Sequence, residues 1–115
     1  MDKIIKTIYN AIDDKKGENI RVFDISELTV ISDYFVIASG NNENQVKAIA
    51  DNITEQLLKE HNITPRQIEG YNSANWILLD YSNYVIHIFD KEQRSFYNLE
   101  KIWCDGKELD CKNDI

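Results

Sequence analysis

Apolar positions recur along the chain with two different periods, and the switches between them mark out the elements. Ile4, Ile5, Ile8, Tyr9 and Ile12 form one stripe at helical spacing and predict a helix over residues 3–16. Asp2 stands where a cap is needed. Lys15-Lys16-Gly17 supplies cations for the far end of the helix dipole and, in Gly17, a residue tolerant of a left-handed stop. Ile20-Arg21-Val22-Phe23-Asp24-Ile25 reads as a strand, and Ser26–Ser32 as a connection. Tyr34-Phe35-Val36-Ile37-Ala38 is apolar throughout, which predicts a central strand. Ser39-Gly40-Asn41-Asn42 breaks it and offers caps for the longest helix, about residues 43–60, with the stripe Val46, Ile49, Ala50, Ile53 and Leu57. Thr64-Pro65 is expected to end that helix, ahead of a short strand at 66–69 and a polar loop at 70–75.

The next stretch is the most informative. Trp76–Tyr81 and Tyr84–Asp90 are two strand patterns separated by Ser82-Asn83, a hairpin signal without the usual glycine. That turn sets Asp80 against Val85, Leu78 against His87 and Trp76 against Phe89. Ile77, Leu79, Ile86 and Ile88 then share the opposite, purely aliphatic face, suited to packing under helices. The face with Trp76, Leu78, Asp80, Val85, His87 and Phe89 is apolar yet studded with polar groups, a mixture more usual for a docking surface than for a core. Beyond it Asp90 caps a short helical turn with Gln93 in the capping-box position, and Phe96, Leu99 and Trp103 fall on one stripe. Residues 104–115 carry net acidic charge and no periodicity and are expected to fray. The fold class is therefore α/β: a single small domain over residues 1–103, a mixed sheet with helices packed on it, followed by an acidic tail.

Composition narrows the function. The 115 residues are 43% hydrophobic and 29% charged, a globular balance, with 13 Lys and Arg against 20 Asp and Glu for a net charge of −7. An average surface of that sign repels phosphate backbones, and no basic run offsets it, so direct RNA contact should be small and a basic protein partner suits the chain better. Two cysteines, Cys104 and Cys111, are too few for a disulfide framework and wrongly spaced for a metal hairpin. Apolar runs of about five residues fall well short of a membrane span. With no secretory pattern at the start, the expected setting is the cytoplasm.

Catalytic chemistry is hard to find. His61 and His87 have no histidine or cysteine three or four positions away, so neither a metal nor a cofactor site is expected. Asp24, Asp33, Asp80 and Asp90 lie at strand ends, but no D-x-D or D-x-E pair supports two-metal phosphoryl transfer. Ser39-Gly40-Asn41-Asn42 could offer amides to an anion, yet one glycine and no lysine make it a capped turn rather than a phosphate loop. Trp76, Phe89, Tyr97 and Trp103 could each be core, but four such rings among polar neighbours within 28 residues favour a protein interface.

Several motifs in order also carry a resemblance. Asp33-Tyr34-Phe35-Val36-Ile37-Ala38-Ser39-Gly40-Asn41 with Gln45–Asp51, Glu69-Gly70-Tyr71, Trp76–Tyr81, Val85–Phe89 and Arg94–Trp103 together resemble the Iojap-related ribosomal silencing factors over residues 2–103. Ser82-Asn83 departs from a turn that often holds glycine in that family, and Lys91 stands where proline is common. The resemblance implies a nucleotidyltransferase-like shape without the catalytic motif and hence no enzyme activity. It also implies binding to large-subunit ribosomal protein fourteen on the large ribosomal subunit, where the bound protein blocks the small subunit and represses translation. A role in large-subunit maturation and, off the ribosome, a homodimer through the same apolar surface are further implications. The family's contact region maps here onto Trp76, Leu78, Asp80, His87, Phe89, Tyr97, Leu99, Glu100 and Trp103. The competing expectation is a minimal nucleotidyltransferase-like enzyme whose site the motifs do not reveal.

Overall fold

Asp2 opens the first helix by turning its carboxylate onto the chain, where Oδ1 accepts from the amides of Ile4 (2.8 Å) and Ile5 (3.2 Å). Helix α1 then runs over Lys3–Asp14. The structure is a computed structural model, and it describes residues 2–28, 32–92 and 107–109. The left-handed residue after α1 is Lys16 (φ 62°), one position before the glycine expected to serve there. Gly17 is required for closeness instead, since a Cβ there would lie 2.3 Å from the Ile12 side chain and 3.1 Å from its carbonyl oxygen.

Strand β1 (Glu18–Asp24) starts two residues earlier than its β-branched pattern, through an irregularity between Glu18 and Arg21 at which Asn19 takes a positive φ. Strand β2 (Tyr34–Gly40) is central, as its apolar run predicts, and is buried from Phe35 onward. Asn42 caps α2 (Glu43–His61) by accepting from the Gln45 amide at 2.9 Å. Gln45 in turn donates its Nε2 to the carbonyls of Lys15 (3.0 Å) and Lys16 (2.9 Å), which pins the end of α1 to the start of α2. The helix ends within a residue of the expected position, but Thr64-Pro65 does not make the stop. It stops at Asn62, whose left-handed backbone lets the Asn62 and Ile63 amides donate to Leu58 and Leu57.

Three further strands follow, β3 (Gln67–Glu69), β4 (Trp76–Asp80) and β5 (Tyr84–Asp90), and β6 (Lys107–Leu109) closes the order. The six strands form one mixed sheet in the order β3-β4-β5-β2-β1-β6, with β2 and β5 parallel and the other neighbours antiparallel. Residues 107–109 thus correct the expectation of a frayed tail. They pair with β1, Val22 opposite Leu109 and Phe23 opposite Glu108, and Glu108 grips Arg21 through two hydrogen bonds of 2.8 and 3.1 Å. Three residues are too short for a visible period, which is why the sequence hid them.

Both helices pack on one face of the sheet. Ile5, Ile8, Ile12, Val46, Ile49, Ile53 and Leu57 meet Val22, Val36, Ala38, Ile77, Leu79, Ile86 and Ile88 there, all essentially unexposed. Asn52, the buried polar side chain between the helices, is satisfied by donating to the Ala11 carbonyl at 2.9 Å. Phe23, Ile25, Phe35, Ile37 and Phe89 form a second buried cluster, with Trp76 against it. Strand alternation assigns those residues to the opposite face of the sheet.

Candidate functional site

The hairpin has the expected register: Trp76 opposite Phe89, Leu78 opposite His87 and Asp80 opposite Val85. Its turn works without glycine because Ser82 accepts a positive φ (70°) and its amide donates to Asp80 Oδ1 at 2.8 Å, while the Tyr81 amide donates to the Tyr84 carbonyl. Gly70 sets the approach to β4. It holds φ 77°, and a Cβ would lie 2.0 Å from the Trp76 carbonyl oxygen, so only glycine lets the 70–75 loop fold back over the first residue of the strand.

The six residues of the far face divide into two groups. Trp76, Leu78, Asp80 and Val85 are partly exposed. Phe89 is fully buried and His87 is only 9% exposed, so neither offers the surface that the strand pattern led us to expect. Both are packing residues beneath the others. The Trp76 indole stacks on the Phe89 ring (4.9 Å between centroids, 23° between planes), and His87 lies 4.8 Å from the Phe35 ring.

His87 is joined to Trp76 by a hydrogen bond of 2.9 Å between the indole Nε1–H and the imidazole Nδ1. An indole can only donate, so Nδ1 must be unprotonated and the neutral ring carries its proton on Nε2. Burial acts in the same direction, pushing the imidazole down to about 4 from its ordinary value of 6.5. At neutral pH the pair is therefore an uncharged donor and acceptor under a partly exposed ring.

Asp80 is already engaged. Its Oδ2 meets Arg66 Nη2 at 2.5 Å, and the guanidinium, chiefly through that bond, holds the carboxyl below its usual range. Arg66 was not singled out in the sequence, where nothing but its place beside a short strand pointed to a role. At the far end of the hairpin the Tyr84 hydroxyl donates to Asp2 Oδ2 at 2.8 Å, tying the α1 cap to β5. Tyr97, Leu99, Glu100 and Trp103 lie outside the described residues.

A crevice of about 410 Å³ opens where the parallel strands β2 and β5 end, lined by Asn41, Asn42, Glu43, Asn44, Asp90, Lys91 and Glu92. Open sheets often bind ligands at such a place. Here, however, the Asn75 amide donates to both Glu43 and Asp90 (3.1 Å each) and Lys91 pairs with Glu18 at 3.0 Å. Three carboxylates facing one such lysine oppose a bare phosphate. Among the described residues no group of three His, Cys, Asp or Glu side chains could hold a metal ion.

Comparison with known proteins gives a consistent family. The family model described as ribosomal silencing factor during starvation matches residues 1–115. A ribosomal silencing factor of Bacillus subtilis is 41% identical over 107 residues, 93% of this chain and 90% of its own length. Another, from Halalkalibacterium halodurans, is 36% identical over 113 residues, 98% of this chain and 96% of its own length. The crystal structure of a Chromobacterium violaceum protein superposes with a TM-score of 0.84 at 32% identity, covering 90% of this chain and 88% of that one.

Proposed function

The chain belongs to the ribosomal silencing factor family, and from that premise we propose that it is a non-catalytic repressor of translation acting in the cytoplasm. In this reading it binds the large ribosomal subunit through large-subunit ribosomal protein fourteen. Its bulk then keeps the small subunit from joining, and the same binding can act during large-subunit maturation. The observation that carries the reading is the partly exposed strip of Trp76, Leu78, Asp80 and Val85, on the sheet face opposite α1 and α2. Tryptophan is among the residue types that dominate interface energetics, and here it stands partly exposed beside aliphatic side chains with the carboxylate at the margin. A net charge of −7 favours a basic protein over RNA as the principal contact. Off the ribosome the same strip would pair with a second copy, so dimer and ribosome complex would compete.

The test is sedimentation of tagged protein with separated subunits, followed by titration into a mixture of both. Co-migration with the large subunit alone and a dose-dependent loss of joined ribosomes are expected. Equal binding to both subunits, or joined ribosomes unchanged at saturation, contradicts the proposal. Added salt should weaken the complex modestly, and a steep log–log slope would indicate RNA instead.

The acidic crevice at the ends of β2 and β5 favours a second reading, a minimal nucleotidyltransferase-like enzyme that would need a divalent ion to accept a nucleotide. A thermal shift with nucleotide plus magnesium, lost in Asp90→Ala, would support that reading.

A further inference from the structure

The proposed docking strip puts its largest ring, Trp76, directly on two buried residues, and these do different jobs. Phe89 supplies a flat floor to stack on, a contact that fixes the plane of the indole more than its direction within that plane. His87 supplies a directional contact, Nε1–H to Nδ1 at 2.9 Å. The imidazole is itself held, with Phe35 at 4.8 Å and Phe89 at 6.2 Å, and it is nine-tenths buried. It cannot reach a partner, yet it is the acceptor that selects one indole orientation. A buried, unprotonated ring nitrogen with one donor aimed at it is a hydrogen bond protected from competing water.

We propose that His87 is a positioning residue, holding Trp76 in the one orientation that presents the indole to the large subunit. The inference rests on the docking role proposed for the strip. It predicts that binding depends on the acceptor at the Nδ1 position and not on the imidazole as such. His87→Asn places an amide oxygen near that position, whereas His87→Phe keeps a buried ring of similar size without any acceptor. Losing the bond should free the indole to populate other rotamers before binding, and only the competent fraction then counts towards the observed affinity.

The experiment uses the intact chain labelled with 15N and has two parts. In the unaltered protein, a scalar coupling between Trp76 Nε1 and His87 Nδ1, with the proton of the imidazole on Nε2, is expected. A coupling that is absent, with the proton found on Nδ1, overturns the proposal without any variant. In the second part, the indole N–H exchange rate and the affinity for isolated large subunits are measured for Trp76→Ala, His87→Asn and His87→Phe. His87→Phe should lose the slow exchange of the indole proton and bind about tenfold more weakly. His87→Asn should keep slow exchange and bind within about threefold of the original. If Trp76→Ala binds as well as the unaltered protein, the docking role of the strip has failed. If Trp76→Ala weakens binding but His87→Phe frees the indole at no cost in affinity, the docking role stands and the positioning role of His87 is refuted.

Discussion

The two faces of the hairpin are built from the same ten positions and do opposite things. On the helix-covered face Ile77, Leu79, Ile86 and Ile88 are wholly unexposed, aliphatic and interchangeable in chemistry. On the other face only His87 and Phe89 are buried, and above them Trp76, Leu78, Asp80 and Val85 reach the surface. The first face is specified by volume and has no polar atoms to satisfy. The second is layered, with a buried floor that carries one hydrogen bond and a partly exposed row held on it. Burial therefore stabilises the domain from one side, while the other side spends part of its apolar area where a partner could cover it.

The sharpest way to break that contrast is to truncate one residue on each face. Leu79→Ala should cost about 2–5 kcal/mol of unfolding free energy, because a fully buried leucine leaves a cavity between sheet and helices. Urea denaturation measures it, and large-subunit affinity of the folded fraction should hardly change. Trp76→Ala should lower large-subunit affinity roughly 30- to 1,000-fold, about 2–4 kcal/mol. It should also cost stability, by about 0.5–1.5 kcal/mol beyond its buried area, since the ring stacks on Phe89. Unfolding by Trp76→Ala with only weakened binding by Leu79→Ala would mean the roles of the faces are inverted.

A third test uses pH. His87 lies in the folded protein near 4 against 6.5 unfolded, so the unfolded chain binds the extra proton between those values. Its contribution is full above about 6.5, falls as the pH drops and is exhausted below about 4, which amounts to roughly 2 kcal/mol between pH 7 and pH 5. Denaturant unfolding at both pH values should show that loss, and His87→Asn should abolish it. Asp80 is shifted downward as well, but from a lower ordinary value and by a hydrogen bond to a cation, not by burial. Held low by Arg66, it contributes above its unfolded value of about 4 and loses that only as pH falls further, outside the pH 5–7 window. The smallest effect follows from the same residue: Asp80→Asn should change stability by less than about 1 kcal/mol, because Arg66 is largely solvated. Thermal melts in low and high salt check this.

The contrast also explains what could be read from the chain before its structure. The two-residue turn gave the hairpin register, with Asp80 against Val85, Leu78 against His87 and Trp76 against Phe89, and the period of two agreed, because a one-residue slip would have put four aliphatic side chains on the wrong face. Periodicity assigns a side chain to a face but does not say whether that face is covered at that position. The pattern therefore expects His87 and Phe89 on the surface of that face, whereas both lie beneath it. Short and local signals failed for related reasons. Lys16 takes the left-handed position expected at Gly17, and a left-handed Asn62 makes the stop expected of Thr64-Pro65, since residues other than glycine can adopt that backbone where hydrogen bonds compensate. Strand β6 is too short for any pattern. The Arg66–Asp80 pair joins residues fourteen apart that only the β3–β4 pairing brings together.

Cross-linking from single positions tests the proposed docking face most directly. A photo-reactive phenylalanine analogue is introduced as Leu78→p-benzoylphenylalanine, at the middle of the partly exposed row. In a second protein it is introduced as Leu58→p-benzoylphenylalanine, on α2, where the native side chain is 50% exposed. Each is irradiated with isolated large subunits. The probe at position 78 should capture large-subunit ribosomal protein fourteen and the probe at 58 should capture nothing above background. Capture from position 58 with none from 78, or capture of ribosomal RNA from 78, would contradict the assignment of the hairpin's aromatic face as the surface that meets the ribosome.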